Sequence, residues 1–297
     1  MKRRLNTRGA GRTSTVLVVV LLGAFVLAAC QLNIVTTGGT GNTGNTGGNT
    51  GNTGGSGGAT SWACVTSDQD GDCPFSPDSQ ITDTQASGST FSDPYVDQDV
   101  WSPISGWSQT LSANSPQDWQ VVANEPAGND GVVAYPNTGI DLSGAVDGYN
   151  ETVSSFSESM PHNDQTSAWA MYDLWFNNWA DEVMIQYDFT NNGDCTPVAT
   201  AQFGGSYGVP VQTWHLCDFS GGGTDTLAWK LGAGEGSEKQ SESSGSVDLK
   251  AMIEWLENNG YLPAGSTWTA ISDGWEICST GGQNETFQVS NYSVTAN

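Results

Sequence analysis

Residues 167–189, SAWAMYDLWFNNWADEVMIQYDF, constrain the chain more than any other stretch. They read as two strands, Trp169–Phe176 and Glu182–Phe189, joined by a short polar turn containing Asn177, Asn178 and Asp181. Strand side chains alternate between faces. On the first strand Tyr172, Leu174 and Phe176 share one face, and Met171, Asp173 and Trp175 share the other. On the second, Val183, Ile185 and Tyr187 oppose Glu182, Met184, Gln186 and Asp188. Each strand thus has an apolar face and a face where carboxylates sit beside sulfur or indole. A strand with only a structural duty more often carries Thr, Ser or Lys on its wet face.

A second stretch, Ala270–Cys278 (AISDGWEIC), answers the first. Glu276 lies there in a strand pattern between Trp275 and Ile277. Two glutamates on separate strands, each among aromatics, point to a paired-carboxylate site. Glycoside hydrolysis uses such a pair: one carboxyl protonates the leaving oxygen, and the other attacks the anomeric carbon or activates water. Spacing alone does not bring the two together in space, and ordinary wet-face glutamates are the plain alternative.

These residues resemble glycoside hydrolase family 12, the small jelly-roll endoglucanases and xyloglucanases. Glu182-Val183-Met184-Ile185 is similar to that family's nucleophile strand. Tyr172-Asp173-Leu174 is similar to the strand whose aspartate lies beside the nucleophile. Gly274-Trp275-Glu276, followed by Gly281-Gly282, resembles the acid/base strand. Val247–Tyr261 resembles the single helix and its exit into that strand. Gln98-Asp99-Val100-Trp101 is similar to the opening strand, whose tryptophan is a sugar platform, and Tyr135-Pro136-Asn137 to a segment near the cleft. The resemblance covers about residues 95–297. Asp99 replaces the usual Asn, Gln186 replaces the usual aromatic, and the loop between Asp173 and Glu182 is short.

The resemblance implies an all-β, two-sheet antiparallel sandwich (a concanavalin-like jelly roll) with one amphipathic helix. It implies a retaining endo-β-1,4-glycanase acting on a β-glucan such as cellulose, mixed-linkage glucan or xyloglucan. Glu182 would be the nucleophile, Glu276 the acid/base, and Asp173 a neighbour that tunes Glu182. Met184 would pack beneath the sugar, and Trp101, Trp175 and Trp179 are platform candidates. Tyr135 and Gln186 are further candidates for contact with substrate. No cofactor is called for. The alternative from another class is a surface-anchored, non-catalytic polysaccharide-binding lipoprotein. A concanavalin-like glucanase of another family would carry both acids on one E-x-D-x-x-E strand, and no such motif occurs.

The amino terminus reads separately. Residues 1–30 form a secretory leader with a basic start and an apolar run, Thr15–Ala29. That run is short for a membrane-spanning helix of ~20 residues. It ends Leu27-Ala28-Ala29-Cys30, which resembles the lipobox of bacterial lipoproteins, with Cys30 as the lipidated residue. Residues 31–60 are a flexible Gly/Thr/Asn-rich linker that can bury no apolar surface. Its 25-residue repetitive part would reach on the order of 28 Å. The expected protein is therefore extracellular, tethered to the cell surface by lipid alone, and monomeric.

The net charge is −24, and five of the eight basic residues lie in the leader. The remainder sets three lysines against 32 acids. Such a surface argues against nucleic acid and anionic membrane as partners. It suits a neutral polysaccharide.

About 235 residues then remain for the catalytic jelly roll at 61–297, enough for one full core. Its first part, 61–94, is irregular and acidic. Cys64 and Cys73 could close a small loop there. Asp68, Asp70 and Asp72 between them alternate as calcium ligands do, but the twelve-residue loop and its terminal Glu are missing, so a solvated acidic turn is expected. Cys195 and Cys217 are a second candidate bridge in an oxidising compartment. With Cys30 lipidated, Cys278 is left over as a buried strand thiol. His162 and His215 belong to no cluster with metal-ligand spacing, and no G-x-S-x-G elbow is present.

Further strands are expected over 95–140, at Val153–Glu158, over 195–231 and over 283–297. In the last, Phe287, Val289 and Asn291 alternate with Gln288, Ser290 and Tyr292. A helix is expected over Val247–Asn258, capped by Ser246, with an apolar stripe of Leu249, Met252, Ile253 and Leu256 lying against the back of the sandwich.

Overall fold

The structure, a computed structural model, describes residues 62–67, 71–74, 81–83, 94–129, 131–191, 195–219, 225–232 and 241–297. The leader, the linker, Cys30 and two of the three aspartates of the acidic turn lie outside the described residues.

In chain order the strands are β1 (Cys64–Thr66), β2 (Asp72–Pro74), β3 (Ile81–Asp83), β4 (Tyr95–Asp97), β5 (Ser108–Ser115), β6 (Asp118–Asn124), β7 (Asn137–Asp141) and β8 (Thr152–Ser159). They continue as β9 (Ser167–Phe176), β10 (Asp181–Thr190), β11 (Ala199–Phe203), β12 (Gln212–Asp218), β13 (Asp225–Leu231) and β14 (Ser244–Asp248). Among the described residues one α-helix, α1 (Leu249–Asn258), precedes β15 (Trp268–Ser279) and β16 (Glu285–Ala296).

Two sheets result. One runs β1-β5-β6-β16-β8-β14, with β3 added beside β16. The other has nine strands in the order β11-β12-β13-β10-β9-β15-β7-β4-β2. All pairings are antiparallel except β3 with β16 and β10 with β13. This is the expected two-sheet sandwich. The first disulfide, Cys64–Cys73, ties β1 of one sheet to β2 of the other. The second, Cys195–Cys217, pins the segment before β11 to β12.

The inner faces meet as the alternation requires. Tyr172, Leu174 and Phe176 of β9 and Val183 and Ile185 of β10 join one core with Trp119, Phe156, Phe287 and Val294 of the facing sheet. Trp119 meets Trp275 edge-on at 5.0 Å, and Phe156 stacks on Tyr187 at 3.8 Å. Such pairs add ~1 kcal/mol each beyond the area they bury.

Two bulges shift the expected alternation. The β9–β10 register slips between Gln186 and Asp188, so Asp188 stands opposite Ala170 and Phe189 opposite Trp169. Asp188 therefore leaves the face of Glu182 and Met184. It is buried, accepting from His162 Nε2 at 3.0 Å. A slip between Val289 and Asn291 likewise turns Tyr292 into the core, in phase with Val294. One extra residue inverts every face beyond it.

The helix differs at its start. Ser246 and Val247 belong to β14, where the Ser246 hydroxyl meets that of Ser155 at 2.7 Å. Asp248 is the cap instead, accepting from the Ala251 amide at 3.0 Å. A carboxylate there also opposes the helix dipole favourably. Leu249, Met252, Ile253 and Leu256 are buried as expected. They join the core, with the helix beside β8 and Trp255 edge-on to Trp229 of the nine-stranded sheet at 5.2 Å.

The interior also holds acids. Glu158 accepts from Trp275 Nε1 at 3.0 Å, and Asp273 from the Tyr187 hydroxyl at 2.8 Å. Burial pushes Glu158 up to about 9 and Asp273 up to about 8, and it raises Glu125 to about 8. The folded state thus holds protons that the unfolded chain releases near pH 4 to 5. Stability is full below that range and is lost as pH rises towards 8 to 9. Thermal melts across pH 4.5–9 are expected to show a falling melting temperature. A flat or rising profile contradicts these buried protons.

Candidate active site

The outer face of the nine-stranded sheet carries the candidate residues. β9 lies between β10 and β15, and all three present the wet half of their alternation to the same side. Trp175 of β9 stands opposite Glu182, Asp173 opposite Met184 and Ser272, Met171 opposite Gln186 and Gly274, and Trp169 opposite Glu276. Glu182 and Glu276 therefore occupy the ends of a diagonal across β9, with Asp173 and Met171 between them. The structure brings together Asp173, Glu182, Glu276, Met184 and Gln186 from sequence-distant strands.

Gly274 explains part of the Gly-Trp-Glu pattern. A Cβ there would lie 2.1 Å from the Pro136 carbonyl oxygen. Only glycine lets the Pro136–Asn137 backbone approach β15 so closely. The Trp275 amide then donates to that carbonyl at 3.2 Å, which holds the strand bearing Glu276 in place.

Asp173, Glu182 and Glu276 are only 4%, 6% and 5% exposed. Burial raises the proton affinity of all three, and their neighbours then separate them. Glu182 accepts from Thr226 Oγ1 at 2.7 Å, and this bond and the adjacent Asp173 pull its pKa back down, leaving a raised value. Asp173 is held well above the carboxylate range by burial and then by the charge of Glu182, with Trp175 Nε1 donating to it at 2.8 Å. Glu276 is pushed up to about 8 by burial and by the charge of Glu182, opposed by Trp169 and by the ammonium of Lys230. Both glutamates are raised by burial; hydrogen bonds act to favour the charged form of Glu182, while the charge of Glu182 adds to the rise of Glu276, which keeps its proton to about pH 8.

Met184 is buried beside this group, and Gln186 Nε2 lies 3.8 Å from its sulfur. Tyr135 is buried, donating to the Met171 carbonyl at 3.2 Å, and its ring lies 6.1 Å from that of Trp101. Trp101 is half-buried against a small apolar cluster with Trp169, Met171, Met184 and Cys278. Trp175 is half-buried, and Trp179 stands exposed beyond it.

Sequence reasoning missed four contributors. Thr226 and Lys230 face Glu182 and Gln186 because β13 pairs in parallel with β10, a contact no local pattern announces. Trp169 of β9 stands opposite Glu276 and favours its charged form. Asp99 adds a charge that raises both Asp173 and Glu276; its replacement of Asn was visible, but its reach was not. Cys278 corrects another expectation: it is disulfide-bonded, not a free thiol. Among the described residues no group of three or more His, Cys, Asp or Glu could hold a metal ion.

No protein-family model matches the sequence, and no curated protein matches it. Solved structures do match in three dimensions. The xyloglucanase domain of NopAA, a type three effector from Sinorhizobium fredii, was solved in complex with cellobiose. It is 21% identical with a TM-score of 0.62, over 79% of this chain and 99% of that one. A family 12 xyloglucanase from Bacillus licheniformis, in complex with ligand, is 21% identical with a TM-score of 0.61, over 79% and 100%. Endoglucanase Cel12A from Rhodothermus marinus is 18% identical with a TM-score of 0.59, over 79% and 99%. The chain has the fold of the family 12 glycoside hydrolases.

Proposed function

We propose that this protein is a retaining endo-β-1,4-glycanase acting on a β-glucan-type polysaccharide. The observation that carries the reading is the split between two buried glutamates on one face. Glu182 is supported as an anion by Thr226, and Glu276 holds its proton to about pH 8. The fold on which they sit is shared with solved xyloglucanases and an endoglucanase.

In the proposed cycle the Glu182 carboxylate attacks C1 of the sugar at the cleavage point, forming a glycosyl ester. The C1–O bond to the leaving sugar breaks, and Glu276 delivers its proton to that oxygen. Glu276, now ionised, takes a proton from water as the water attacks C1. The ester bond breaks and Glu182 is released as carboxylate. Asp173, protonated beside Glu182, steadies the nucleophile's charge. Met184 packs beneath the sugar and Trp101 and Trp175 offer ring faces to it.

The test uses the purified full-length chain on carboxymethylcellulose, barley β-glucan and xyloglucan. The parent is expected to release reducing ends, and Glu182→Gln and Glu276→Gln to lose about 100-fold or more. The first product seen by proton NMR is expected to be the β-anomer; the α-anomer first would mean inversion. An inactive parent retarded by a glycan in affinity electrophoresis would be a binding protein instead. Equal activity in parent and variants would remove both glutamates from the mechanism.

The pH profile gives a second test. Activity requires protonated Glu276, so it is expected to fall above about pH 8. Lys230 favours the ionised form, so Lys230→Met should raise the Glu276 pKa and move the basic limb to higher pH. A limb that stays put or moves down separates Lys230 from Glu276.

Secretion belongs to the same proposal; lipid attachment at Cys30, suggested by the Leu27-Ala28-Ala29-Cys30 sequence, competes with a bridge to Cys278, the one disulfide-bonded cysteine left when Cys64–Cys73 and Cys195–Cys217 are paired. Among the described residues no helix is long and apolar enough to cross a membrane. A lipid thioether and a disulfide are alternative fates of one sulfur. Mass spectrometry of membrane-extracted protein decides between the two: diacylglycerol on the Cys30 peptide would establish the lipid. A Cys30 peptide bridged to Cys278 would exclude the lipid.

A further inference from the structure

The β9–β10 hairpin turns in an uncommon way. Asn177, Asn178 and Trp179 all have positive φ, at 52°, 57° and 68°. Asparagine tolerates that region, because its side chain can bond locally. Tryptophan does not, and a bulky residue there is a strained outlier. Such strain persists only where the surroundings over-determine it.

Here they do. The Asn177 amide donates to the Thr267 carbonyl at 2.8 Å, and its side-chain oxygen accepts from the Thr267 amide at 3.0 Å. Its side-chain nitrogen donates to Asp181 Oδ2 at 2.6 Å and to Ser266 Oγ at 3.2 Å. The Asn178 amide donates to Thr269 Oγ1 at 2.9 Å. The Ala180 amide closes the turn on the Phe176 carbonyl at 3.0 Å. The turn is thus bolted to the chain entering β15, the strand that carries Glu276.

What this effort holds up is an indole in solvent. Trp179 is 52% exposed, while Trp119, Trp169, Trp214, Trp229, Trp268 and Trp275 are buried. Its ring lies 5.5 Å from that of Trp175, inclined by 52°. Trp175 is itself fixed by its bond to Asp173 and stands opposite Glu182. A packing role would have buried Trp179 and would not need left-handed backbone. A rigid, exposed aromatic in line with a site is instead what recognition of a ring-shaped, amphipathic ligand requires.

We propose that Trp179 is a stacking platform for a sugar ring of the glycan beyond the cleavage point, and that it makes the enzyme favour long chains over short ones. The proposal rests on the glycan-binding reading above. The Trp175–Trp179 pair then forms two inclined steps, with the first beside the nucleophile and the second outside the cleft. A short substrate spans the first step only, whereas a polymer reaches both.

The experiment compares the full-length parent with Trp179→Ala, Trp179→Gly and Trp179→Phe, on barley β-glucan and on an aryl cellobioside. The ratio of kcat/KM on polymer to that on the short substrate should fall about tenfold in the Ala and Gly variants, as for loss of an aromatic anchor. The Phe variant should fall between. Trp179→Gly should melt no lower than the parent, because glycine removes the backbone strain. An unchanged ratio overturns the proposal. So does a melting temperature lowered in Trp179→Gly together with an equal loss on both substrates, since that marks a structural residue. If the parent binds glycan without cleaving it, affinity electrophoresis of polymer and oligosaccharide supplies the same ratio. A parent that neither cleaves nor binds glycan refutes the functional reading itself, whatever the variants do.

Discussion

A carboxyl group taken out of water holds its proton unless something nearby supports its charge, and the site depends on that rule. Asp173, Glu182 and Glu276 are buried to a similar degree. Burial alone would leave three equivalent acids. The difference comes from particular neighbours: a threonine hydroxyl bonded to Glu182, an indole N–H bonded to Asp173, and the charge of the Lys230 ammonium acting on Glu276. Thr226 comes from β13 beside the strand of Glu182, Trp175 from the same strand as Asp173, and Lys230 from β13, three strands away from β15 in the same sheet. The chemistry is therefore a property of strand order, because β13 must lie beside β10, and β15 beside β9, for the acids to be told apart.

The same rule acts on the other side of β15. Asp273 and Trp275 point into the core, where Asp273 takes the Tyr187 hydroxyl and Trp275 donates to Glu158. A polar layer inside a sandwich costs stability unless it is paired. Here it gives the strand bearing Glu276 fixed partners on its hidden face. Gly274 fixes it edgewise through the close approach of Pro136. Glu276 is thus held from the core, from the strand edge and from its own face.

What could be read from the sequence follows from range. Period-two alternation is local, so both faces of β9 and β10 were legible, as were the apolar stripe of α1 and the two disulfide pairs with small or adjacent loops. The bulges after Gln186 and Val289 were not, since one extra residue leaves no mark in composition while it inverts Asp188 and Tyr292. The helix cap moved from Ser246 to Asp248 because β14 pairs with β8 up to Asp248 and consumes Ser246. Thr226 and Lys230 were invisible for a stronger reason: parallel pairing joins segments separated by a long crossover, and nothing within either segment names its partner.

The short loop between Asp173 and Glu182 gains a physical meaning in this light. A tight reversal of two long strands needs left-handed residues, and Asn177 and Asn178 supply them cheaply. Trp179 does not, and the hydrogen bonds that force it to comply come from 266–269, the entry to β15. The hairpin that carries Asp173 and Glu182 and the strand that carries Glu276 are therefore fastened at one point. Loosening that point would disturb the relative placement of the two glutamates as well as the exposed indole. A longer loop could present an aromatic just as openly, but it would lose this fastening. Shortness, strain and the register of the acids are thus one structural choice.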